Sequence, residues 1–339
     1  MKKVGVAIPV YNEEKLIIKT LSAFLKQDVD YKKFFIVLAD NGSTDKTINK
    51  VVSFQKKHPQ LSLTIVNETK KGKRFARKKA LDTASKMGAF YLLSTDADSV
   101  VPHDIISATT QMLRRSQLHI LRGQIFFPAK TLLLKIIYFS KIRLLIAKLR
   151  QFEQLFFGQA LSGAFFAVPA KLYDQVYYGD IDNPLITQED HLLSRRLFYM
   201  GGIFVDSPNH VITSDRRFWG DIDLYARGVR IPDFRNLQKK IALRKFNQQE
   251  MNEITHFRIT DTAQRLIRQF VDAMFFWHIT GCKYEKAYAT CIKVQQFVGM
   301  SEDLSQPIKQ EERFSYFNKL KKKYLALIEE KILFYINSQ

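Results

Sequence analysis

Hydrophobic positions in the first hundred residues fall into short continuous runs, separated by stretches where they recur every three or four places. Val4 to Val10 is one such run, of the kind a parallel strand buried on both faces needs. Residues 13–27 carry Leu16, Ile17, Thr20, Leu21, Phe24 and Leu25 at helical spacing. Phe34 to Ala39 reads as a second buried strand, followed by a helix with Ile48, Val51, Val52 and Phe54 inward. Leu61 to Val66 gives a third strand, residues 75–87 a helix, and Ala89 to Ser94 a fourth strand. This β-α-β-α-β-α-β order predicts an α/β protein with a Rossmann-like, doubly wound sheet. Ligands in such sheets lie beyond the carboxyl ends of the strands. Four polar clusters follow the four strands directly: Tyr11-Asn12-Glu13, Asp40-Asn41, Lys70 to Arg74, and Asp96-Ala97-Asp98. The pattern therefore predicts one polar rim.

Beyond residue 102 the pattern is less regular. Residues 131–157 form a long helical segment striped by Leu134, Tyr138, Ile142, Leu145, Leu149, Phe152 and Phe156. Its other faces mix Leu and Ile with Lys135, Lys141, Arg143, Lys148 and Arg150. Ser162 to Val168 reads as a strand, an acidic pair opens a helix between Thr187 and Leu197, and Ile203 to Val205 gives a further strand. From about 237 the chain is helical and charge-mixed, with Pro307 as its clear break. The expected organisation is a domain over 1–235, split into a nucleotide-binding half (1–100) and an acceptor half (101–235), and a helical region over 236–339.

Composition narrows the classes. In 339 residues with 46% hydrophobic content and 27 Phe there is enough apolar surface for a sizeable core. Lys plus Arg exceed Asp plus Glu by 53 − 33 = 20, which points to anionic partners. Cys282 and Cys291 alone form neither a disulfide framework nor a thiolate zinc site. The N-terminal apolar run is too short for an export signal, and no stretch approaches the roughly 18 apolar residues of a spanning helix. The expected location is cytoplasmic.

Chemistry concentrates at the strand ends. Asp96 and Asp98, one residue apart after a buried strand, can set oxygens around a hard cation such as Mg²⁺ or Mn²⁺ together with a diphosphate. Asp40 can hydrogen-bond a nucleobase or ribose, while Ser43 or Thr44 caps the following helix. Seven of the ten residues 70–79 are basic; Lys78 and Lys79 read as a solvated face, whereas Gly72 and Lys73 at a loop-to-helix junction form an anion site. Glu189 and Asp190 head a helix, where a carboxylate either acts as general base or only complements the helix dipole. Spacing does not separate the two. Arg216 and Arg217, beside Phe218 and Trp219, can neutralise a departing diphosphate, and the aromatics either stack on a sugar or pack. His210 reads as a polar loop residue in preference to a metal ligand.

Taken in order, these residues resemble the inverting glycosyltransferases of family 2, which have the GT-A fold. The matching stretches are Ile8 to Glu13, Asp40 to Asp45, Gly72-Lys73, Asp96 to Asp98, Ser162 to Ala164 and Glu189-Asp190, covering residues 4 to about 220. The resemblance implies a hexosyltransferase-like enzyme with a nucleotide-diphosphate-sugar donor, UDP-linked above all, and a divalent cation. It places Pro9, Tyr11 and Glu13 in the nucleotide pocket, Asp40 on the base, Asp96 near ribose and metal, Asp98 on the metal, and Asp190 as the base. Attack then inverts the anomeric carbon in one step.

Two departures bear on this. Processive members carry Q-x-x-R-W after the acidic pair and several membrane spans; here Ser214-Asp215-Arg216-Arg217-Phe218 stands instead, which argues against polymer extrusion. The small or Asn position after the basic loop is filled by Lys78 or Lys79. A nucleotidyltransferase is the main rival, but such enzymes carry a Gly-rich loop after the first strand, where Tyr11-Asn12-Glu13-Glu14 repels a triphosphate. A nucleic-acid-binding role is suggested by charge, yet no such motif is present. The acceptor is expected to be a glycan or a lipid-linked sugar. Residues 131–157 either rest on the anionic inner face of the cell membrane as a peripheral contact or pack against protein.

Overall fold

The structure, a computed structural model, describes residues 3–126, 141–157, 160–176, 178, 180, 181, 183, 185, 188–214 and 248–338. These residues fall into two compact units: 3–126, 160–181 and 188–214 belong to the first, and 141–157, 183, 185 and 248–338 to the second.

The first unit is built on an eight-stranded sheet. In chain order its strands are β1 (Val4–Val10), β2 (Phe34–Asp40), β3 (Leu63–Asn67), β4 (Tyr91–Thr95), β5 (Ser99–Val100), β6 (His119–Phe126), β7 (Phe165–Pro169) and β8 (Ile203–Thr213). The spatial order is β3-β2-β1-β4-β7-β6-β8-β5. Pairs β1–β2, β1–β4, β2–β3 and β6–β8 are parallel, while β7 runs antiparallel to both neighbours and β5 is antiparallel to β8. The sheet is thus mostly parallel, as expected, with an inverted strand at its centre.

Continuous apolar runs make these strands because both faces are covered. In β1 and β2, Val4, Val6, Ile8, Val10, Phe34, Ile36 and Leu38 point into one core. That core is closed by helices α1 (Ile17–Phe24), α2 (Thr47–Lys57) and α4 (Ile105–Leu113). Ala7, Phe35, Val37 and Ala39 point into the opposite core, covered by α3 (Lys73–Lys86), the short α6 (Ala170–Asp174) and α7 (Glu189–Tyr199). Helix α3 lies close on the sheet: a Cβ on Gly5 would come within 2.8 Å of Ala89 Cβ and 2.9 Å of Ala84 Cβ.

Two expectations change in detail, and strand β6 is an element the pattern did not predict. Helix α1 starts at Ile17, because residues 13–16 form a turn in which the Glu13 carbonyl accepts from Leu16 N and Ile17 N. Strand β6, whose residues show no clean alternation, pairs with β8 through a register shift between Arg122 and Gln124. Strand β8 continues past the Ile203–Val205 run to Thr213, so His210 lies in a strand and packs edge-on to Phe126, centroids 5.8 Å apart.

The second unit is helical: α5 (Lys141–Phe157), α8 (Gln248–Ile279), α9 (Glu285–Val298) and α10 (Arg313–Ser338), with Pro307 in the break before the last. The stripe residues Leu145, Leu149, Phe152 and Phe156 are buried against the other helices. Phe152 is fully enclosed, its ring 5.4 Å from those of Phe156 and Phe297 and 5.3 Å from Tyr335. Lys148 Nζ donates to the Ile336 carbonyl at 2.7 Å. Over residues 141–157 the apolar stripe therefore packs against protein, while Leu144 and Leu155 face outward; residues 131–140 lie outside the described ones. No helix among the described residues is long and apolar enough to cross a membrane. Phe152→Ala is expected to cost about 3–5 kcal/mol, as large-to-small core changes of this kind do, read as a lower denaturant midpoint by circular dichroism.

Candidate active site

The four strand-end loops are tied to one another by hydrogen bonds. After β1, Asn12 takes a left-handed φ of 52°, which Asn tolerates through its short polar side chain. Its N–H donates to Ser43 Oγ (3.0 Å), and its Oδ1 accepts from Thr44 N (2.8 Å). Glu13 is buried, its N–H donating to Thr47 Oγ1 at 2.8 Å. Pro9 is buried within β1 beside Ala39, whereas Tyr11 is half-exposed with the Lys71 ammonium 5.0 Å from its ring centre.

After β2, the Asp40 carboxylate accepts from Ser43 N (3.1 Å) and Ser43 Oγ (2.6 Å), closing its own turn. Buried Asn41 then pins the basic loop after β3. Its Nδ2 donates to the carbonyls of Glu68 (3.0 Å) and Lys70 (2.7 Å), and its Oδ1 accepts from Gly72 N (2.7 Å). Gly72 has a φ of +134°, open to glycine alone, and starts α3 at Lys73. Lys73 Nζ reaches Asp96 Oδ2 at 2.7 Å.

Arg77, one helical turn beyond Lys73 on the same face, is 1% exposed. Its guanidinium donates through Nη1 to Ser94 Oγ (2.7 Å) and the Gly163 carbonyl (2.5 Å), through Nη2 to Asp96 Oδ1 (3.1 Å), and through Nε to Glu189 Oε1 (3.0 Å). Burial disfavours its charge, but the carboxylates of Asp96, Glu189 and Asp190 outweigh that and hold it firmly protonated. Burial alone would raise the Asp96 carboxyl; Lys73 and Arg77 outweigh it and hold the group down at about 2. Asp190 Oδ2 accepts from Gly163 N (2.8 Å) and its Oδ1 from His191 N (2.9 Å). Burial and then the charge of Glu189 push the Tyr178 hydroxyl well up, so it remains a donor to the Glu189 carbonyl at 3.1 Å.

The structure therefore brings Lys73, Asp96, Glu189 and Asp190 into one cluster, and Tyr11, Glu13 and Asp40 into the adjoining loops. Asp98, in the turn after β4, accepts from Thr213 Oγ1 through its Oδ1 at 3.2 Å. Arg216 and Arg217, with Phe218 and Trp219, lie outside the described residues. Lys79 is exposed, as expected, whereas Lys78 is half-buried, pairing with Asp82 and lying 6.0 Å from the centre of the Tyr178 ring. Arg77 and Asn41 escaped the reading of the sequence as individual residues. The signal for Arg77 was its spacing of four from Lys73; for Asn41 there was none.

The donor set suits a hard cation held as Mg²⁺ is held, by one or two carboxylates with water and phosphate oxygens completing the shell. Among the described residues no three His, Cys, Asp or Glu side chains converge into a complete protein cage. Both oxygens of Asp96 are engaged by the cations of Lys73 and Arg77, and Asp98 Oδ1 by the Thr213 hydroxyl.

Residues 5–152 match the family model described as "Glycosyl transferase family 2". A dolichyl N-acetyl-alpha-D-glucosaminyl phosphate 3-beta-D-2,3-diacetamido-2,3-dideoxy-beta-D-glucuronosyltransferase of Methanococcus voltae is 31% identical over 93 residues, 27% of this chain and 28% of that protein. The poly(ribitol-phosphate) beta-N-acetylglucosaminyltransferase TarS of Staphylococcus aureus is 39% identical over 57 residues, 17% of this chain and 10% of that one. The matched stretches thus span little more than a quarter of these curated relatives at most. The crystal structure of S. aureus TarS superposes with a TM-score of 0.50 at 16% identity, covering 96% of this chain and 55% of that chain, a likeness of fold.

The Asp96 cluster makes stability pH-dependent. An unfolded Asp titrates near 3.9, and the folded group is held at about 2. The cluster then contributes on the order of 2 kcal/mol at neutral pH, lost as pH falls from about 4 to about 2. Denaturant titrations of the wild type and Asp96→Asn across that window are expected to converge; parallel curves overturn the assignment.

Proposed function

Residues 5–152 match the glycosyl transferase family 2 model, and from that premise we propose that the chain moves a glycosyl group from a nucleotide-diphosphate sugar to an acceptor hydroxyl with inversion. The observation that supports this best is the hydrogen-bonded joining of four strand-end loops to the start of α7, which gathers Asn12, Asn41, Lys73, Asp96 and Glu189 along one rim. Tyr11 and Asp40 take the nucleoside, with Pro9 and Glu13 fixing the loop beneath it. Lys73 and the N–H groups at the start of α3 take the diphosphate. A divalent Mg²⁺ or Mn²⁺ at Asp98 supplies charge neutralisation for the leaving diphosphate. Asp190 accepts the proton of the acceptor hydroxyl as its oxygen bonds to the anomeric carbon and the bond to the diphosphate oxygen breaks. Arg216 and Arg217 are assigned to the departing diphosphate.

The two curated relatives are named for β-linked products, which is what one inversion yields from an α-linked donor. Both names also specify N-acetylated sugars, so UDP-N-acetylhexosamines come first in a donor screen with Mn²⁺, followed by GDP- and dTDP-sugars. A glycan or lipid-linked acceptor is the matching partner class. Asp190→Asn is expected to keep UDP affinity while lowering turnover at least 100-fold, and Asp98→Ala to remove Mn²⁺-dependent UDP binding, both read by calorimetry and UDP release. Normal turnover of the Asn variant overturns the base assignment.

A lipid-linked acceptor would bring this basic protein to an anionic inner membrane face, with outward Leu144 and Leu155 as contacts. Flotation with anionic vesicles is then expected at low salt and lost at high salt; no flotation at low salt ends the idea.

A further inference from the structure

We propose that Arg77 is a positioning residue, which sets Asp190 relative to the donor-side carboxylate Asp96 by acting through Glu189 and Gly163. The inference rests on the reading of Asp190 as the general base and deepens it. With 1% of its surface exposed, Arg77 has almost no face left for a substrate. Its donors reach three separate segments: Ser94 and Asp96 at the end of β4, Gly163 before β7, and Glu189 at the start of α7.

A guanidinium is planar and presents its donors in a fixed fork, so it fixes the mutual spacing of whatever it binds. Gly163 carries the coupling onward. Its carbonyl accepts from Arg77, and its N–H donates to Asp190 Oδ2 at 2.8 Å. Only glycine allows this approach, since a Cβ would lie 2.3 Å from Arg77 Nη2. Glu189, next to Asp190 in the chain, is held on its side chain by Arg77 and on its carbonyl by Tyr178. A second arginine fixes the same helix from within: Arg196 grips Asp180 through two contacts of 2.7 and 2.9 Å, both side chains fully buried. Positioning of this kind matters because a misplacement of about 1 Å at the reacting groups can cost about 100-fold in rate.

The local charges agree with a fixed frame. Lys73 and Arg77 face Asp96 and Glu189, two cations against two carboxylates. Lys73 is 43% exposed, so it is accessible to a diphosphate, whereas Arg77 stays inside. The two basic residues of one helix face thus divide the work: Lys73 meets the donor and Arg77 holds the base.

The test uses the full chain and a double-mutant cycle. Arg77→Lys keeps the charge and loses the fork; Glu189→Ala breaks a single one of the contacts and serves if the lysine variant does not fold. Each is measured alone and combined with Asp190→Asn, for Mn²⁺-dependent UDP affinity, for kcat and KM with the donor that the screen returns, and for hydrogen exchange at residues 161–164 and 188–193. The expected result is a 10- to 100-fold fall in kcat with UDP affinity within threefold, faster exchange in both segments, and no further fall in the Asp190→Asn background. An equal fall in that background, a loss confined to KM and UDP affinity, or unchanged exchange would overturn the role of Arg77. Failure of the base assignment itself is seen separately, as wild-type turnover by Asp190→Asn alone.

Discussion

The buried guanidinium of Arg77 is the constraint around which the first unit is arranged. An arginine in the interior is unfavourable unless its donors and its charge are matched, and removing one partner of such a cluster typically costs about 3–5 kcal/mol. Here the matching groups come from the end of one strand, the turn before another and the first residue of a helix. The cation can be satisfied only when all three segments are in place, so folding of the sheet and assembly of the rim are a single requirement. The same logic recurs at Arg196 with Asp180 in this unit and at Arg313 with Asp272 in the second, where the contact is 2.7 Å.

The inverted strand β7 explains how an acidic helix reaches the rim of a parallel sheet. Strands β1 to β4 run in one direction and deliver their loops to one edge. Strand β7 enters antiparallel to β4, so the turn that precedes it, residues 161–164, lies at that same edge beside Thr95 and Asp96. Helix α7 then packs Leu192, Leu193 and Leu197 into the core shared with α3. Its first residues arrive beside the Gly163 backbone. A purely parallel continuation would have started that segment at the opposite edge.

Much of this was written in the chain's own pattern. Runs such as Val4–Val10 and Phe34–Ala39 are apolar at every position because both faces of the strand are covered, and that property is local enough to be read directly. The polar clusters after each run are equally visible, and with the resemblance to family 2 they single out Asp40, Lys73, Asp96 and Asp190 as candidates. The stripe of the 131–157 segment showed an apolar helix face, but not what covers it; the packing of Phe152 against Phe297 and Tyr335 supplies that for the described part.

What the chain alone could not fix is which of seven neighbouring basic residues turns inward. Arg77, Lys78 and Lys79 all carry a positive charge, and their fates differ by the phase of one helix against a sheet. The partners that distinguish Arg77 lie 86 and 112 residues away, at Gly163 and Glu189. Burial of a charge is a property of those distant groups arriving together, whereas a strand or an amphipathic helix is a property of its own neighbours. Local periodicity therefore set the elements and their polar ends, and long-range pairing alone decided which cation would organise them.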